Sequence, residues 1–264
     1  MQRVWFIISF YVLLCLLIVY AIYIVIVPGN PFIKDPYKRN EYIPKRVFMT
    51  YRDIDSIPAY VRENINTYCK GYNVQLYDDN RCIAFLKEHY GDKVVDVFNN
   101  MRIGAYKSDL WRYCILYKLG GYYFDIKTDF QTHIDNIFNV TTPNKWYTCI
   151  ANNKDALYQG VIATPANNPI LLNAIKYICD NPKPKIYDLY LKNLYALVKK
   201  ECNMDPMCGL NIQENGWVCE LFQEACTSCA SRNTVGCDRY NLNCNIVNSS
   251  GTKLFNTRYT DFPW

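Results

Sequence analysis

Hydrophobic residues recur along the middle of the chain with the two periods that distinguish strands from helices. Short apolar runs predict strands at residues 46–50 and at the sequences "NVQLY", "YYFDI", "WYTCIA" and "GVIAT". The segments between them carry apolar residues at helical spacing, and Gly71, Gly91 and Gly120 stand where such helices usually end. The helix after "NVQLYDD" has Asp79 or Asn80 as its expected N-cap. Strands that alternate with helices predict an α/β fold with a mostly parallel sheet.

The N-terminal hydrophobic segment differs from these elements because polar residues do not recur in it at strand or helix spacing. Val4 to Val27 is uncharged and apolar, and Pro28 follows it. At about 1.5 Å per residue, a helix of this length spans a hydrocarbon core of roughly 30 Å. A cleaved signal peptide would have an apolar region about half as long that ends in small residues. We therefore expect an uncleaved transmembrane signal-anchor helix at residues 4–27, after an N-terminal tail of residues 1–3.

The rest of the chain divides by composition. Residues 28–42 carry Pro, Gly, Asn and charges without a period, and are interpreted as a stem. Residues 43–200 contain the alternating strands and helices and form the predicted main domain. Residues 201–264 are irregular and cysteine-rich, and we expect this C-terminal extension to pack on the same domain around hairpins.

Cysteines are concentrated in that extension, which holds seven of the 13 in the chain. Dense, irregularly spaced cysteines usually form disulfides in an oxidising compartment, so disulfides are the favoured interpretation. Zinc stays open as the alternative, because Cys226-x-x-Cys229 has the spacing of half a ligand set. A second such pair is missing, however, and the chain has only two histidines.

Two signals disagree about the side of the membrane. The flank before the anchor offers Arg3, whereas the flank after it offers five Lys and Arg, so the positive-inside rule favours a cytoplasmic main domain. The cysteines favour the opposite side, as do two glycosylation triplets that begin at Asn139 and Asn248. We expect a single-pass membrane protein whose domain is lumenal (ER- or Golgi-like) or extracytoplasmic.

Three polar residues in "GAYKSDLWRYCILYKLGGYYFDIKTDF" indicate a ligand site. Asp109 and Arg112 share a helix face. The acid accepts hydrogen bonds and the arginine donates them, so the two side chains together can bracket the hydroxyls of a sugar. The alternative for this pair is a salt bridge on a solvated face. Asp125 ends an aromatic strand, and ligands of open α/β sheets collect at the carboxyl ends of strands. An acid there suits a ribose hydroxyl or a cation carried by a diphosphate, although it is also a common turn cap.

The sequences "IPKRVFMTYRD", "YNVQLYDDNRCIAFLKEHYG" and "GAYKSDLWRYCILYKLGGYYFDI" together resemble glycosyltransferase family 32. The hallmark of that family is a small residue, then Ser-Asp, Arg-Tyr, Gly-Gly and a strand that ends in Asp-x-Asp. The likeness covers residues 43–130 and, more loosely, "GVIATPANNPILLNAIKYI". It implies a GT-A-like nucleotide-sugar-binding fold and retaining transfer of a sugar from a UDP- or GDP-sugar.

The resemblance also implies roles for individual residues. Tyr51 stands where the family places an aromatic that stacks on the nucleobase, and Asp109 and Arg112 match the residues that hold donor sugar and ribose hydroxyls. Asp125 matches the first acid of Asp-x-Asp and would contact the donor as well. Lys127 replaces the second acid, which normally ligates Mn²⁺ or Mg²⁺.

Three accounts of Lys127 are open. In an extended strand, Asp125 and Asp129 would stand about 13 Å apart at roughly 3.3 Å per residue, too far to share an ion. A turn at Thr128 would bring Asp129 closer and restore a metal site made by Asp125 and Asp129. Alternatively, the Lys127 ammonium neutralises the diphosphate and serves with Asp125 as a catalytic group. The third account is loss of activity.

We expect a membrane-anchored retaining glycosyltransferase that moves a hexose or N-acetylhexosamine to a glycan or glycoprotein acceptor. The alternative, from a different class, is an inactive sugar- or nucleotide-binding membrane protein that acts as a partner or adhesion module. The net charge of +5 is spread along the chain without a dense basic block, and no nucleic-acid-binding motif is present, so nucleic acid is not an expected partner.

Overall fold

The structure is a computed structural model that describes residues 41–152, 154–226 and 244–258 of the 264-residue chain. The predicted anchor at residues 4–27 lies outside the described residues, as does the stem up to residue 40, so both stay predictions. Within the described ranges, no helix has the length and apolar character needed to cross a membrane.

Ten strands in the described residues join one sheet. They are β1 Arg46–Thr50, β2 Asn73–Tyr77, β3 Gly121–Phe124, β4 Asp129–Phe130, β5 Lys145–Ile150, β6 Leu157–Thr164, β7 Gly209–Ile212, β8 Val218–Cys226, β9 Cys244–Val247 and β10 Lys253–Asn256. Their order is β2-β1-β3-β6-β5-β8-β9-β10-β4, and β7 pairs with β8. The described part of the predicted extension thus contributes strands to the same sheet as the main domain.

The sheet is mixed, and the predicted mostly parallel sheet is wrong. Strand β1 runs parallel to β2 and β3, and β5 runs parallel to β8, whereas the other pairings are antiparallel. The physical reason is the length of the connections. Parallel neighbours need a long crossover, but β5 and β6 are joined by a short loop, so β6 turns back and pairs antiparallel with both β5 and β3.

Six α-helices accompany the sheet in the described residues. They are α1 Ala59–Tyr68, α2 Asp79–Tyr90, α3 Asp92–Asn100, α4 Gly104–Leu119, α5 Pro169–Asp180 and α6 Leu189–Cys202. The N-cap of α2 is Asp78, whose side chain accepts a hydrogen bond from the Arg81 backbone N–H at 2.8 Å, rather than Asp79 or Asn80. Strand β2 ends at Tyr77, and Asp78 follows it with an extended backbone, which is the conformation of an N-cap residue.

Side chains of β1 alternate between two hydrophobic clusters on opposite faces of the sheet. Phe48 belongs to the cluster that contains the buried residues of α2 to α6, whereas Val47 and Met49 belong to the cluster on the α1 side. Helix α4 is the most deeply placed helix, because its residues from Asp109 to Leu116 are all buried. A polar residue on this part of α4 is therefore inside the protein, next to the strand ends.

Candidate active site

A cleft of about 340 Å³ opens where the carboxyl ends of β1, β2 and β3 meet the start of α4. We call it the strand-end cleft. It is lined by Thr50, Tyr51, Arg52, Tyr77, Asp79, Gly104, Ala105, Ser108, Arg112, Tyr123, Asp125, Ile126 and Lys127. The three strands are parallel to one another, so their carboxyl ends open on one side, which is where α/β sheets usually bind ligands.

Arg112 joins the two acids that the sequence singled out. Its Nη2 lies 3.4 Å from Asp109 Oδ1 and 3.5 Å from Asp125 Oδ1. Asp109 and Arg112 are each only 5% exposed, so the pair is internal and the alternative of a salt bridge on a solvated face is wrong. The three side chains form one charged cluster at the base of the cleft.

Backbone carbonyls and an aromatic ring fix the Arg112 guanidinium. Nη1 donates to the Gln159 carbonyl oxygen at 2.6 Å, and Nε donates to the Ser108 carbonyl oxygen at 3.1 Å. The guanidinium carbon lies 4.4 Å from the centroid of the Tyr123 ring, within the range of a cation–π contact. Two of the five N–H groups of the arginine thus donate to backbone carbonyls, and Nη2 faces both acids at ion-pair distance.

The surroundings of Asp109 raise the pKa of its carboxyl group. Burial raises the pKa of its carboxyl group, the Arg112 guanidinium lowers it and the Asp125 carboxylate raises it, and together they bring it to about 6. An aspartate in water has a pKa near 4, so this group titrates much closer to neutrality than usual. Buried acids with such shifts are frequent at functional sites.

Asp125 is held at the end of β3 by its backbone and its side chain. Its N–H donates to the Gly160 carbonyl oxygen at 2.9 Å, and its carbonyl accepts from Thr128 N–H at 2.9 Å, which closes a turn over Ile126 and Lys127. Its Oδ1 accepts a hydrogen bond from the Tyr123 hydroxyl at 3.1 Å. The turn keeps both Asp125 and Lys127 on the wall of the strand-end cleft.

Asp129 is directed to different partners. Its Oδ1 accepts from Asn64 Nδ2 at 3.2 Å, and its Oδ2 accepts from Asn256 Nδ2 at 2.6 Å and from Gln131 Nε2 at 2.9 Å. It is not among the residues that line the strand-end cleft. The turn after β3 thus comes before Thr128 and not at it. Asp129 lies on β4 as a result, where side-chain amides donate hydrogen bonds to it.

Lys127 has an acidic neighbour that the sequence did not suggest. Burial raises the pKa of Glu224 on β8, whereas a hydrogen bond from the Asn152 backbone N–H and the nearby Lys127 ammonium lower it. Glu224 lies 97 residues after Lys127 in the chain, and no local pattern marks it. Tyr123 was also missed, although it could have been found, because residues two apart on a strand share a face and Asp125 was already identified.

The structure therefore brings together five of the six predicted site residues and separates one. Tyr51, Arg112, Asp125 and Lys127 line the strand-end cleft, and Asp109 lies behind Arg112. Asp129 lies apart from them. In the described part of the chain, the group of three metal-ligating side chains within 4.8 Å of one another is Glu224, Cys226 and Cys244, and it does not include Asp125.

The disulfides predicted for the C-terminal extension are present in part: the described residues contain one bond, and Cys202, Cys208 and Cys219 are free thiols. Cys226 is bonded to Cys244, which are opposite each other on β8 and β9. This bond confirms the disulfide interpretation for that pair, and it removes Cys226 from the zinc alternative because a bonded sulfur is not a thiolate ligand. Cys229 lies outside the described residues.

Comparisons with known proteins confirm the resemblance found in the sequence. Residues 56–144 match a family model described as "Glycosyltransferase sugar-binding region containing DXD motif". This range contains α4, β3 and the turn with Asp125 and Lys127.

Two individual proteins are also similar to parts of the chain. The initiation-specific alpha-1,6-mannosyltransferase of Saccharomyces cerevisiae is 31% identical over 110 residues, which is 38% of this chain and 23% of the yeast protein. The match thus spans less than a quarter of that relative. A solved structure titled PaToxG Glycosyltransferase has 16% identity and a TM-score of 0.47, covering 62% of this chain and 70% of that one.

Proposed function

We propose that the chain is a glycosyltransferase that transfers a hexose or N-acetylhexosamine from a nucleotide sugar to a glycan or glycoprotein. The observation that carries the proposal is the Asp109–Arg112–Asp125 cluster at the base of the strand-end cleft, within the range that matches the sugar-binding region of transferases. A buried cation held between two acids, one of which opens on a cleft, is an arrangement suited to ligand hydroxyls.

The cleft suggests how a donor would be held. Tyr51 on its wall offers a ring for the nucleobase, and Asp125 offers a carboxylate for sugar or ribose hydroxyls. Because Arg112 donates to two backbone carbonyls and is ion-paired with both acids, we assign it mainly to positioning Asp109 and Asp125. This modifies the role that the family resemblance implied, in which Arg112 itself contacts the donor.

The residues present do not fit a metal site of the Asp-x-Asp kind. Lys127 occupies the second acid position, Asp125 is paired with Arg112, and both carboxylate oxygens of Asp129 accept hydrogen bonds from amides. We therefore derive no step through Mn²⁺ or Mg²⁺. The Lys127 ammonium on the cleft wall is a cation that can stabilise the charge developing on the diphosphate.

In the proposed reaction the bond between C1 of the donor sugar and the diphosphate oxygen breaks. A hydroxyl oxygen of the acceptor bonds to C1 on the same face, as retention requires, and its proton passes to the departing phosphate. Asp125 holds the donor in place during this exchange, Asp109 and Arg112 position Asp125, and Lys127 faces the leaving group. Positioning and electrostatic stabilisation together account for most of the rate that such a site supplies.

We also propose that the domain lies on the lumenal or extracytoplasmic side of a membrane and is anchored by residues 4–27. The Cys226–Cys244 disulfide supports this side, because disulfides persist in oxidising compartments. The basic flank after the anchor argues for the opposite side. The oxidation state of this cysteine pair in cells therefore tests the placement.

Nucleotide release tests the activity. Full-length protein in detergent is mixed with a panel of UDP- and GDP-sugars, with Mn²⁺ or with EDTA, and free nucleotide is followed. We expect release from at least one donor, and we expect it to persist in EDTA. Arg112→Lys should lower the rate by roughly 100-fold, because an ammonium cannot bridge two acids as a guanidinium does. Arg46→Lys, at the opposite end of β1, is the matched control.

Two results would contradict the proposal. Absence of release from every donor, by a protein whose fold is intact, would favour the inactive sugar- or nucleotide-binding module. Release at an unchanged rate from Arg112→Lys would show that the buried cluster is not the reaction site. Release that needs Mn²⁺ would leave the transferase assignment standing and would overturn the role given to Lys127.

A further inference from the structure

A second cleft lies beside the first turn of α4, and we call it the side cleft. Its volume is about 480 Å³. Its walls come from the connection between α3 and α4 and from the connection between α5 and α6, and include Arg102, Ile103, Tyr106, Pro182, Lys183 and Pro184. The same turn of α4 lines the strand-end cleft with Gly104 and Ala105, so the two clefts flank one helix end.

The side cleft adjoins the acidic cluster of the site. Tyr106 on its wall is one helical turn before Asp109, and its ring centroid lies 5.9 Å from that of Tyr187. Tyr187 is 66% exposed. Burial and then the Asp109 carboxylate raise the pKa of both tyrosine hydroxyls, and Asp125 acts on Tyr187 as well. Tyr187 thus packs against Tyr106 on the wall of the side cleft, and both hydroxyls are within electrostatic range of Asp109.

The lining of the side cleft is cationic and partly apolar. Arg102 and Lys183 are exposed, no acid is among the lining residues, and within the described ranges neither cation makes an ion pair with an acid. Ile103 of this lining is 43% exposed, and the connection between α5 and α6 that supplies Pro182 to Pro184 also carries the exposed hydrophobic side chains Ile186 (48%) and Tyr187 (66%). Apolar walls with a few convergent charges are typical of ligand sites, and the charge here selects anions.

We propose that the side cleft is the acceptor site and that the acceptor is a glycan that carries an anionic group. Arg102 and Lys183 bind the anion, while Tyr187 packs against the sugar ring that presents its hydroxyl to the strand-end cleft. This rests on the proposed function, because only a transferase needs a second sugar next to the donor. Phosphate, sulfate and carboxylate share this chemistry.

The test measures binding separately from catalysis. The probes are a mannose disaccharide and the same disaccharide with a 6-phosphate, a 6-sulfate or a terminal uronate, titrated into full-length protein that is saturated with UDP or GDP. At least one charged disaccharide should bind more tightly than the neutral one, and the form that binds most tightly identifies the anion. The double variant Arg102→Gln/Lys183→Gln should lose about tenfold or more in affinity for it.

Controls separate the cleft from general surface charge. Lys176→Gln removes an exposed cation on α5 that lines neither cleft, and should leave the affinity for the charged disaccharide unchanged. Tyr187→Ala should weaken the binding of charged and neutral disaccharides alike, whereas Tyr187→Phe should retain it, because the ring rather than the hydroxyl packs on the sugar.

The outcomes distinguish this inference from the function on which it rests. If nucleotide binds and is released from a donor, but the double variant binds the charged disaccharide as well as the unaltered protein, the side cleft is not the acceptor site. Equal affinity for charged and neutral disaccharides has the same meaning. If no donor is turned over, yet charged disaccharide binding depends on Arg102 and Lys183, the anionic glycan site stands and the transferase proposal falls.

Discussion

At the scale of single residues, the buried pair of Asp109 and Arg112 requires a physical explanation. Taking two charges out of water is costly, and their mutual attraction offsets that cost only when further polar contacts satisfy them. Arg112 has such contacts in the Gln159 carbonyl, the Ser108 carbonyl and the Asp125 carboxylate. Asp109 is less well compensated, as its raised pKa indicates. Apolar residues would fill this position at lower cost, so its polarity is more readily explained by binding than by stability.

The raised pKa of Asp109 predicts a pH dependence of activity. Because the carboxyl group takes up its proton near pH 6 instead of near pH 4, lowering the pH through 6 removes the charge that pairs with Arg112. We expect kcat/KM for the donor to fall as the pH decreases, with a midpoint near 6, when measured between pH 4.5 and 8. Asp109→Asn should be less active and should lack this limb of the profile.

A second acid with a raised pKa, the half-buried Glu224, makes a control for this profile necessary. The pKa of Glu224 is also raised, so Glu224→Gln should be measured alongside and should keep the limb near pH 6. Asp92→Asn changes an exposed acid on α3 and should leave the profile unaltered. A flat profile in the unaltered protein, or the same limb in Asp109→Asn, would rule out Asp109 as the titrating group.

At the scale of elements, the junction between α4 and β3 determines where the site residues stand. Arg112 is delivered by the helix and Asp125 by the strand, and only Gly120 separates the two elements. Gly120 has φ 62° and ψ 176°, a conformation that is nearly exclusive to glycine. A Cβ atom there would lie 2.6 Å from the backbone nitrogen of Ala166, so neither the backbone angles nor the space admits a side chain.

Gly120→Ala is therefore predicted to destabilise the fold. We expect the free energy of unfolding to decrease by about 2–3 kcal/mol, from backbone strain and from the contact with Ala166. Denaturant titration followed by circular dichroism measures this. Gly71→Ala separates the two causes, because Gly71 also has a positive φ of 87° but no heavy atom within 4 Å of the added Cβ. It should lose only about 1 kcal/mol, and equal losses would mean that the contact contributes nothing.

At the scale of the whole molecule, the local pattern predicted elements well and their pairing poorly. The helix at Gly104–Leu119 and the strand that follows it were predictable because helical period, the Gly-Gly turn and the aromatic run all agree within 30 residues. The direction of neighbouring strands depends on which distant segments pair, and sequence period carries no such information. The insertion of β6 between β3 and β5 is a case of this kind.

The candidate site was likewise predictable where it depends on local sequence and not where it depends on contacts between distant segments. Tyr51, Arg112, Asp125 and Lys127 lie near predicted strand ends or on the predicted helix, so the resemblance could assign them together. The surroundings of Asp129 could not be foreseen, because Asn64 and Asn256, which hold its carboxylate, are 65 and 127 residues away in the chain. The electrostatic effect of Lys127 on Glu224 likewise joins the turn after β3 to a strand that is distant in the chain.

The Cys226–Cys244 bond is the one covalent tie between β8 and β9 in the described residues, and it gives a prediction for the entire chain. Its cysteines are 18 residues apart, and closing a loop of this size stabilises a fold by about 3 kcal/mol in the chain-entropy treatment. Reductant should lower the free energy of unfolding by about this amount, and Cys226→Ser/Cys244→Ser should show a correspondingly smaller response. Cys208→Ser, which removes a half-buried free thiol, should respond as the unaltered protein does.

The same pair reports the compartment, because the bond forms only where the environment is oxidising. Thiols are alkylated in intact cells, and the protein is then analysed by mass spectrometry at Cys226 and Cys244. If the domain is lumenal or extracytoplasmic, both cysteines escape alkylation until reductant is added. That result would mean that the disulfide is a better signal of orientation than the basic flank at Lys34 to Arg46. Alkylation of both cysteines without reductant would place the domain in a reducing compartment, where the positive-inside rule puts it, and the approximately 3 kcal/mol would then be absent from the working protein.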